Sequence, residues 1–242
     1  MITDILKSHL VPPQDFIYGF ADLKGMLPDK FHGYQSGISI GKRLDDAIID
    51  KLEDGPTLEY YAHYTRINRE LAELSRKIQV DLNGNGIKSI AIKPTIPLGS
   101  KRYEKYLETL SYDISHKMVA TRAGLGWIGK TDLFISNNFG PRLRLVTILL
   151  KENPGIQSRP VVKSKCGNCN ICIEKCPAKA ANGKLWDINT HRDEFFNAFK
   201  CREKCAELAR KKLNVDERIC GLCINVCPIG KSNQSSLLKK VS

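Results

Sequence analysis

The sequence predicts an α+β chain: an N-terminal α/β domain followed by a small, loop-rich domain built around cysteine. Three observations carry this expectation. Strand-like and helix-like patterns alternate through 16–93. All nine cysteines of the 242 residues lie between Cys166 and Cys227. Between the two regions, 151–165 contains Pro154, Gly155 and Pro160 and reads as a linker. The expected divisions are therefore 1–155, 156–232 and a polar tail at 233–242.

The first domain opens with apolar runs at 16–21 and 37–40, both expected as buried strands. Over 58–80, Tyr60, Tyr64, Ile67, Leu71, Leu74 and Ile78 recur at steps of four and three, which places them on one face of a helix. His63, on the same stretch, reads as a surface histidine. Gly84, Asn85 and Gly86 then force a turn, and 87–93 resumes as a strand. The pattern weakens over 94–122, where Pro94, Pro97 and Gly99 argue for an irregular segment of the kind that lines sites. Three glycines surround a tryptophan at 123–130, and strands are expected at 133–135 and 142–150. In the second of these, Leu143, Leu145, Thr147 and Leu149 alternate with Arg142, Arg144, Val146 and Ile148, so one face should be buried and the other mixed. A helix is expected over 195–213.

Apolar residues make up 42% of the chain and charged residues 26%, as in an ordinary globular protein. No apolar run reaches membrane-spanning length, and the first residues lack the basic and apolar segments of a signal peptide, so a cytoplasmic protein is expected. Clustered cysteines in such a compartment point to metal rather than disulfides. The net charge is +12, and 151–242 holds eighteen Lys/Arg against nine Asp/Glu, or +9.

The cysteine spacing is the most specific signal. Cys166, Cys169, Cys172 and Cys176-Pro177 form the C-x₂-C-x₂-C-x₃-C-P run of bacterial ferredoxins. Its short gaps aim three thiolates at one iron–sulfur cube, and the fourth ligates the other cube. Cys220, Cys223 and Cys227-Pro228 repeat the motif with its first cysteine replaced by Glu217. Two [4Fe-4S] clusters need about eight thiolates, and the two runs supply seven. The expected sets are Cys166, Cys169, Cys172 and Cys227 for one cluster, with Cys176, Cys220, Cys223 and Cys201 for the other; Cys205 is the alternative to Cys201. Zinc is the competing metal, but its sites use separated cysteine pairs often mixed with histidine, and only His191 lies in this region. Two such clusters, each about −2 with their thiolates, would offset part of the basic excess. The remainder could steer an acidic ferredoxin or flavodoxin, or a nucleic acid.

Taken together, Ala123-Gly124-Leu125-Gly126-Trp127-Ile128-Gly129-Lys130, the two strands after it and the double cluster motif resemble the epoxyqueuosine reductase family and, more distantly, the cobalamin-dependent reductive dehalogenases. The likeness spans about 15–228 and is specific from Ala123 onward. It implies an N-terminal α/β sandwich akin to flavin nitroreductases and cobalamin-processing proteins, holding a base-off cobalamin. Flavin is the weaker alternative. Gly124, Gly126, Trp127, Gly129, Lys130 and Tyr64 would contact that cofactor, the glycines allowing close backbone approach. A plain structural turn is the other reading of the glycines. A ferredoxin-like domain would feed electrons to cobalt. The family carries an acid in an Asp-x-x-Pro stretch before the glycine motif. Here 110–117 lacks that pattern and offers Asp113 and His116 as candidate proton donors, with His116 as a merely hydrogen-bonded residue on the other reading. The family's tRNA-recognising repeats do not follow the clusters in this sequence, so tRNA is not expected as a partner.

Two functions follow. One is a corrinoid-dependent reductase acting on a small substrate. The other is an electron carrier that reduces a partner, such as a corrinoid protein, and has no substrate of its own.

Overall fold

A computed structural model describes residues 1–96, 100–155 and 158–231. Along the chain run α1 (Ile2–His9), β1 (Phe16–Asp22), β2 (Ser36–Arg43), α2 (Asp46–Ile49), α3 (Leu58–Gly84) and β3 (Ser89–Ile92). They are followed by α4 (Lys101–Thr109), α5 (His116–Arg122), β4 (Gly126–Ile128), β5 (Phe134–Ser136) and β6 (Leu143–Leu150). The last part holds α6 (Ile171–Glu174), α7 (Ala198–Leu213) and α8 (Leu222–Val226). The fold is mixed α/β. Among the described residues, no helix is long and apolar enough to cross a membrane.

The chain forms two compact units that interleave in sequence, where one boundary near residue 155 was expected. The first comprises Met1–Arg43, Arg66–Leu125 and Arg144–Val161; the second comprises Leu44–Thr65, Gly126–Leu143 and Val162–Ser242. Much of the expected linker is fixed by hydrogen bonds. Val161 N–H donates to Thr121 O at 2.9 Å within the first unit, and Ser164 N–H donates to Trp186 O at 2.8 Å within the second. Ile156 and Gln157 of that linker, Pro97 and Gly99, and the tail at 233–242 lie outside the described residues.

The first unit is built on a four-stranded sheet in the order β1-β2-β6-β3. β1 pairs antiparallel with β2, Phe16 opposite Lys42, and β3 pairs antiparallel with β6, Ser89 opposite Leu150. Side-chain parity in β6 tells which helix covers which face. Thr147 bonds to His116 of α5, and Leu149 shares an apolar cluster with Val119 of α5. Arg144, of opposite parity, donates from Nε to Asn68 Oδ1 of α3 at 2.9 Å. The residues from Val146 to Leu150 are consequently buried on both faces, not one. Alternation failed there because helices cover both sides of the sheet.

Helix α3 runs four residues past the expected end, and Ile67, Leu71, Ile78 and Leu82 are its buried apolar stripe. Polar side chains lock it to the strands. Gln79 Oε1 accepts from Ala91 N–H at 2.9 Å, Asn83 Oδ1 accepts from Ser89 N–H at 2.8 Å, and Lys42 Nζ meets Glu70 at 2.5 Å.

The segment 94–122, expected to be irregular, contains α4 and α5. Ser100 caps α4 by accepting from Tyr103 N–H, and Ser115 caps α5 by accepting from Met118 N–H. Helix α4 buries no side chain, so no apolar period marks it; α5 has seven residues, too few to display one.

Replacing Ile148, fully buried in β6, by Ala should lower stability by about 2–5 kcal/mol. Val80→Ala, at 63% exposure on α3, should change it by less than about 0.5 kcal/mol. Anaerobic urea unfolding of both variants measures the contrast.

Candidate metal centre

In the second unit the cysteines sit on short, tightly turned segments. Cys169 N–H returns to Cys166 O at 3.1 Å, closing a turn, and Glu174 N–H bonds Asn170 O to start α6, which carries Cys172. Cys176 follows, with its N–H on Ile173 O at 3.2 Å. Asn197 caps α7, whose first two turns carry Cys201 and Cys205. Cys220 lies just before α8, Cys223 lies on it and Cys227 caps its end. All nine are free thiols.

Their mutual electrostatics gather Cys227 near Cys166, Cys169 and Cys172, and Cys223 near Cys176 and Cys220, with Cys172 close to both Cys227 and Cys223. Burial pushes the Cys227 thiol up to about 11, its bond from Ile229 N–H opposes that, and nearby Cys166, Cys172 and Cys169 raise it further. Burial also raises Cys172, which feels Cys166 and Cys169. Cys223 is raised by burial and then by Cys176, Cys220 and Cys172, and Thr131 opposes this. Cys205 lies against both Cys201, at 3.9 Å between sulfurs, and Cys220. With these sulfurs in contact, Cys205 is raised while Cys201 is lowered and Cys220 falls to about 7. Crowded, half-buried thiols of this kind resist ionisation until a cation joins them. The chemistry of these donors suits iron, because metal binding removes the thiol protons and neutralises the thiolates together, while among the described residues no three of them stand at metal-holding distances.

The turn joining β4 to β5 enters this array. Gly129 N–H bonds Leu133 O at 2.8 Å, and the turn presents Lys130, Thr131 and Asp132. Lys130 is buried and donates from Nζ to Asn170 Oδ1 at 2.7 Å, between Cys169 and Cys172. Thr131 is buried close to Cys172 and Cys223 and opposes the effect of burial on both thiols. Asp132 is near enough to Cys201 to raise its thiol. Thr131 carried no spacing signal; only its place one residue past the glycine motif marked it.

Arg142 was also missed. It is 1% exposed and donates to Asp46 at 3.0 Å, to Asp50 at 2.6 Å and to Asn225 O at 3.4 Å. Asn225 lies between Cys223 and Cys227 and donates to Leu52 O at 2.7 Å, so a buried cation braces the last cysteine loop. Its Nε has no partner among the described residues.

The residues that the resemblance assigned to a corrinoid are occupied otherwise. A Cβ on Gly126 would lie 2.0 Å from Ile135 O across the β4–β5 pair, and one on Gly124, where φ is 76°, would lie 2.6 Å from Arg159 O. One on Gly129 would meet the Ile135 side chain at 3.0 Å. These glycines admit neighbouring protein, not an open cofactor face. Trp127 is 5% exposed, with Lys165 Nζ 5.5 Å from its ring centroid and its Nε1 without a partner among the described residues. Tyr64 packs edge-on to Tyr60 at 6.3 Å between centroids. The motif residues therefore present no open face for a corrinoid.

The two candidate acids are also committed. Asp113 is paired with Lys30 and, at 3.1 Å, with Arg102; the Lys30 bond chiefly holds its carboxyl below the usual range. His116 opens α5, where its half-buried ring donates from Nε2 to Lys93 O at 3.1 Å and accepts from Thr147 Oγ1 at 2.9 Å. Burial lowers its pKa to about 4, against the bond to Lys93 O, so the ring is neutral at pH 7. His63, expected on the surface, is buried and accepts from Asp45 N–H at 3.1 Å.

Comparison with known proteins agrees with the metal reading. Residues 165–230 match the family described as a 4Fe-4S double cluster binding domain. An epoxyqueuosine reductase of Synechocystis sp. is 40% identical over 116 residues, 48% of this chain and 39% of that protein. One from Lactococcus garvieae is 32% identical over 124 residues, 48% of this chain and 32% of that protein. The chain resembles the epoxyqueuosine reductases. It spans less than half the length of these relatives.

Solved structures share the fold. An epoxyqueuosine reductase with a tRNA-Tyr epoxyqueuosine-modified stem loop aligns over 95% of this chain and 65% of its own, at TM-score 0.57 and 15% identity. A reductive dehalogenase, whose structure suggests a mechanism for B12-dependent dehalogenation, aligns over 90% of this chain and 30% of its own, at TM-score 0.67 and 16% identity. The expectation that tRNA is no partner is overturned: the epoxyqueuosine reductases are the curated relatives, and one with this fold was solved with a tRNA stem loop.

Two outcomes test the site. Gly126→Ala should unpair β4 from β5 and lower retained iron at least severalfold, read by iron analysis after anaerobic purification. His116 has a folded pKa near 4 against 6.5 unfolded, so below pH 6.5 the unfolded chain takes up a proton that the folded ring refuses. Its stabilising contribution, complete above pH 6.5, should fade as pH falls toward about 4. The urea midpoint of wild type should therefore drop more between pH 7 and pH 5 than that of His116→Asn. Parallel drops would refute this.

Proposed function

We propose that the chain is an iron–sulfur reductase of the epoxyqueuosine reductase type. One cluster would be held by Cys166, Cys169, Cys172 and Cys227, and the other by Cys176, Cys220, Cys223 and Cys201, with Cys205 as the alternative eighth ligand. The observation that carries this is the match of residues 165–230 to a 4Fe-4S double cluster binding domain; the nearness of Cys227 to Cys166, Cys169 and Cys172, and of Cys223 to Cys176, Cys220 and Cys172, supports it. When bound, each cluster stores one electron at low potential.

The chain's own residues bind and brace. Arg142 holds the Cys223–Cys227 loop through Asn225, and Lys130 holds the Cys169–Cys172 loop through Asn170. The basic surface would steer an acidic ferredoxin or flavodoxin as electron donor. The names of the relatives support a reduction of epoxyqueuosine on tRNA as the reaction. Cobalamin as electron acceptor rests on likeness to the B12-dependent dehalogenase, and residues outside the glycine motif would have to hold it.

The carrier reading is favoured by one observation: neither Asp113 nor His116 has a proton free to give at neutral pH. One anaerobic preparation separates the readings. After reconstitution, about eight irons per chain are expected. Addition of cobalamin should give a base-off Co(II) signal in electron paramagnetic resonance, and an epoxyqueuosine-modified stem loop should be reduced. Loading with iron but neither signal nor turnover selects the carrier. Colourless protein with far fewer irons refutes both. Cys201→Ser should lose one cluster while Cys205→Ser keeps two; the reverse would move the eighth ligand to Cys205.

A further inference from the structure

The first cysteine run lies at the surface of its unit. Cys169 is the one exposed cysteine among the described residues, and residues 167, 168, 170 and 171 beside it are exposed too. Cys176, which the other set contains, is 5% exposed. Lysines crowd the same run. Over 162–184 there are five, Lys163, Lys165, Lys175, Lys179 and Lys184, against Glu174 as the one acid. Over 192–218 of the same unit, eight Lys/Arg meet six Asp/Glu, so the excess is concentrated at the first run. Lys165 directly precedes Cys166, Lys175 caps the end of α6, and Lys179 folds back to donate from Nζ to Glu174 O at 3.0 Å. All three are exposed. Ile171, 42% exposed between Cys169 and Cys172, puts an apolar side chain inside this basic rim.

An apolar centre with a charged rim is the anatomy of a protein interface, and the sign of this rim selects an acidic partner. Electron tunnelling weakens steeply with distance, so a donor has to dock where a cluster-bearing loop meets water. We propose that the Cys166–Cys172 loop, centred on Ile171 and rimmed by Lys165, Lys175 and Lys179, is the docking face for an acidic electron carrier of the ferredoxin class. The proposal rests on the two-cluster reading above. Docking oxidises the reduced ferredoxin by one electron and reduces the cluster on Cys166, Cys169, Cys172 and Cys227 by one; no bond breaks and no proton moves. The cluster that includes the buried Cys176 receives its electron second. RNA is the less suited polyanion, because 162–184 has neither an arginine to fork a phosphate nor an aromatic ring to stack a base.

The test is stopped-flow reduction of the iron-loaded protein by a reduced acidic ferredoxin at an ionic strength of about 0.01 M. Lys165→Glu/Lys175→Glu should slow the second-order rate at least about tenfold. Arg76→Glu/Lys77→Glu, an exposed reversal of equal charge on α3, should slow it less than about twofold. At about 1 M salt the three proteins should react alike. Uncharged photoreduced deazariboflavin should reduce all three alike, which separates a lost dock from a damaged cluster. Equal slowing by both reversals, slowing by neither, or a wild-type rate indifferent to salt would overturn the proposal. If the first variant fails to load iron, the same contrast is read on Lys165→Gln/Lys175→Gln. A stem-loop RNA that binds more weakly to that variant while the ferredoxin rate stands would assign the face to nucleic acid and overturn it too. Wild type with far fewer than about eight irons would sink the two-cluster reading itself. Full loading with an unmoved ferredoxin rate would sink only the docking face.

Discussion

Water stabilises a thiolate, and a buried thiolate needs a cation in its place. This unit brings nine thiols together, and burial raises Cys172, Cys223 and Cys227. Without metal, these three would stay protonated; with iron, the proximity of the cysteines would make a ligand set. Much of the surrounding structure holds these loops still, including a buried guanidinium at Arg142 and a buried ammonium at Lys130. Both cations answer to partners in the fold, and both add positive charge to a unit that gathers sulfur.

The glycine motif takes a different meaning from the one its resemblance implied. Its glycines are required because protein backbone or side chain occupies the space that a Cβ would fill, most tightly at Gly126 against Ile135 O. The hairpin so formed ends in the Lys130–Asp132 turn, and that turn reaches the cysteines. The motif thus serves the cluster unit through Thr131 and Lys130.

The candidate acids show how partners decide chemistry. Asp113 and His116 are residue types suited to proton transfer, yet one is held ionised by Lys30 and Arg102, and the other is kept neutral by burial with both ring nitrogens bonded. Neither fate is visible in a single sequence, because Lys30 is 83 residues from Asp113 and Thr147 is 31 from His116.

The sequence by itself determined the elements with strong periods and the metal chemistry: β1, β2, α3, β6, α7 and the two cysteine runs. Local spacing dictates these, since a helix stripe or a C-x₂-C gap depends on backbone geometry over a few residues. Tertiary structure decided the rest. It showed that β6 is covered on both faces, that 101–109 and 116–122 form two capped helices with little or no apolar period, and that the compact units interleave. It buried His63 and Arg142 and brought Thr131 close to Cys172 and Cys223. Those outcomes depend on which distant segments meet, and no spacing within one segment encodes that.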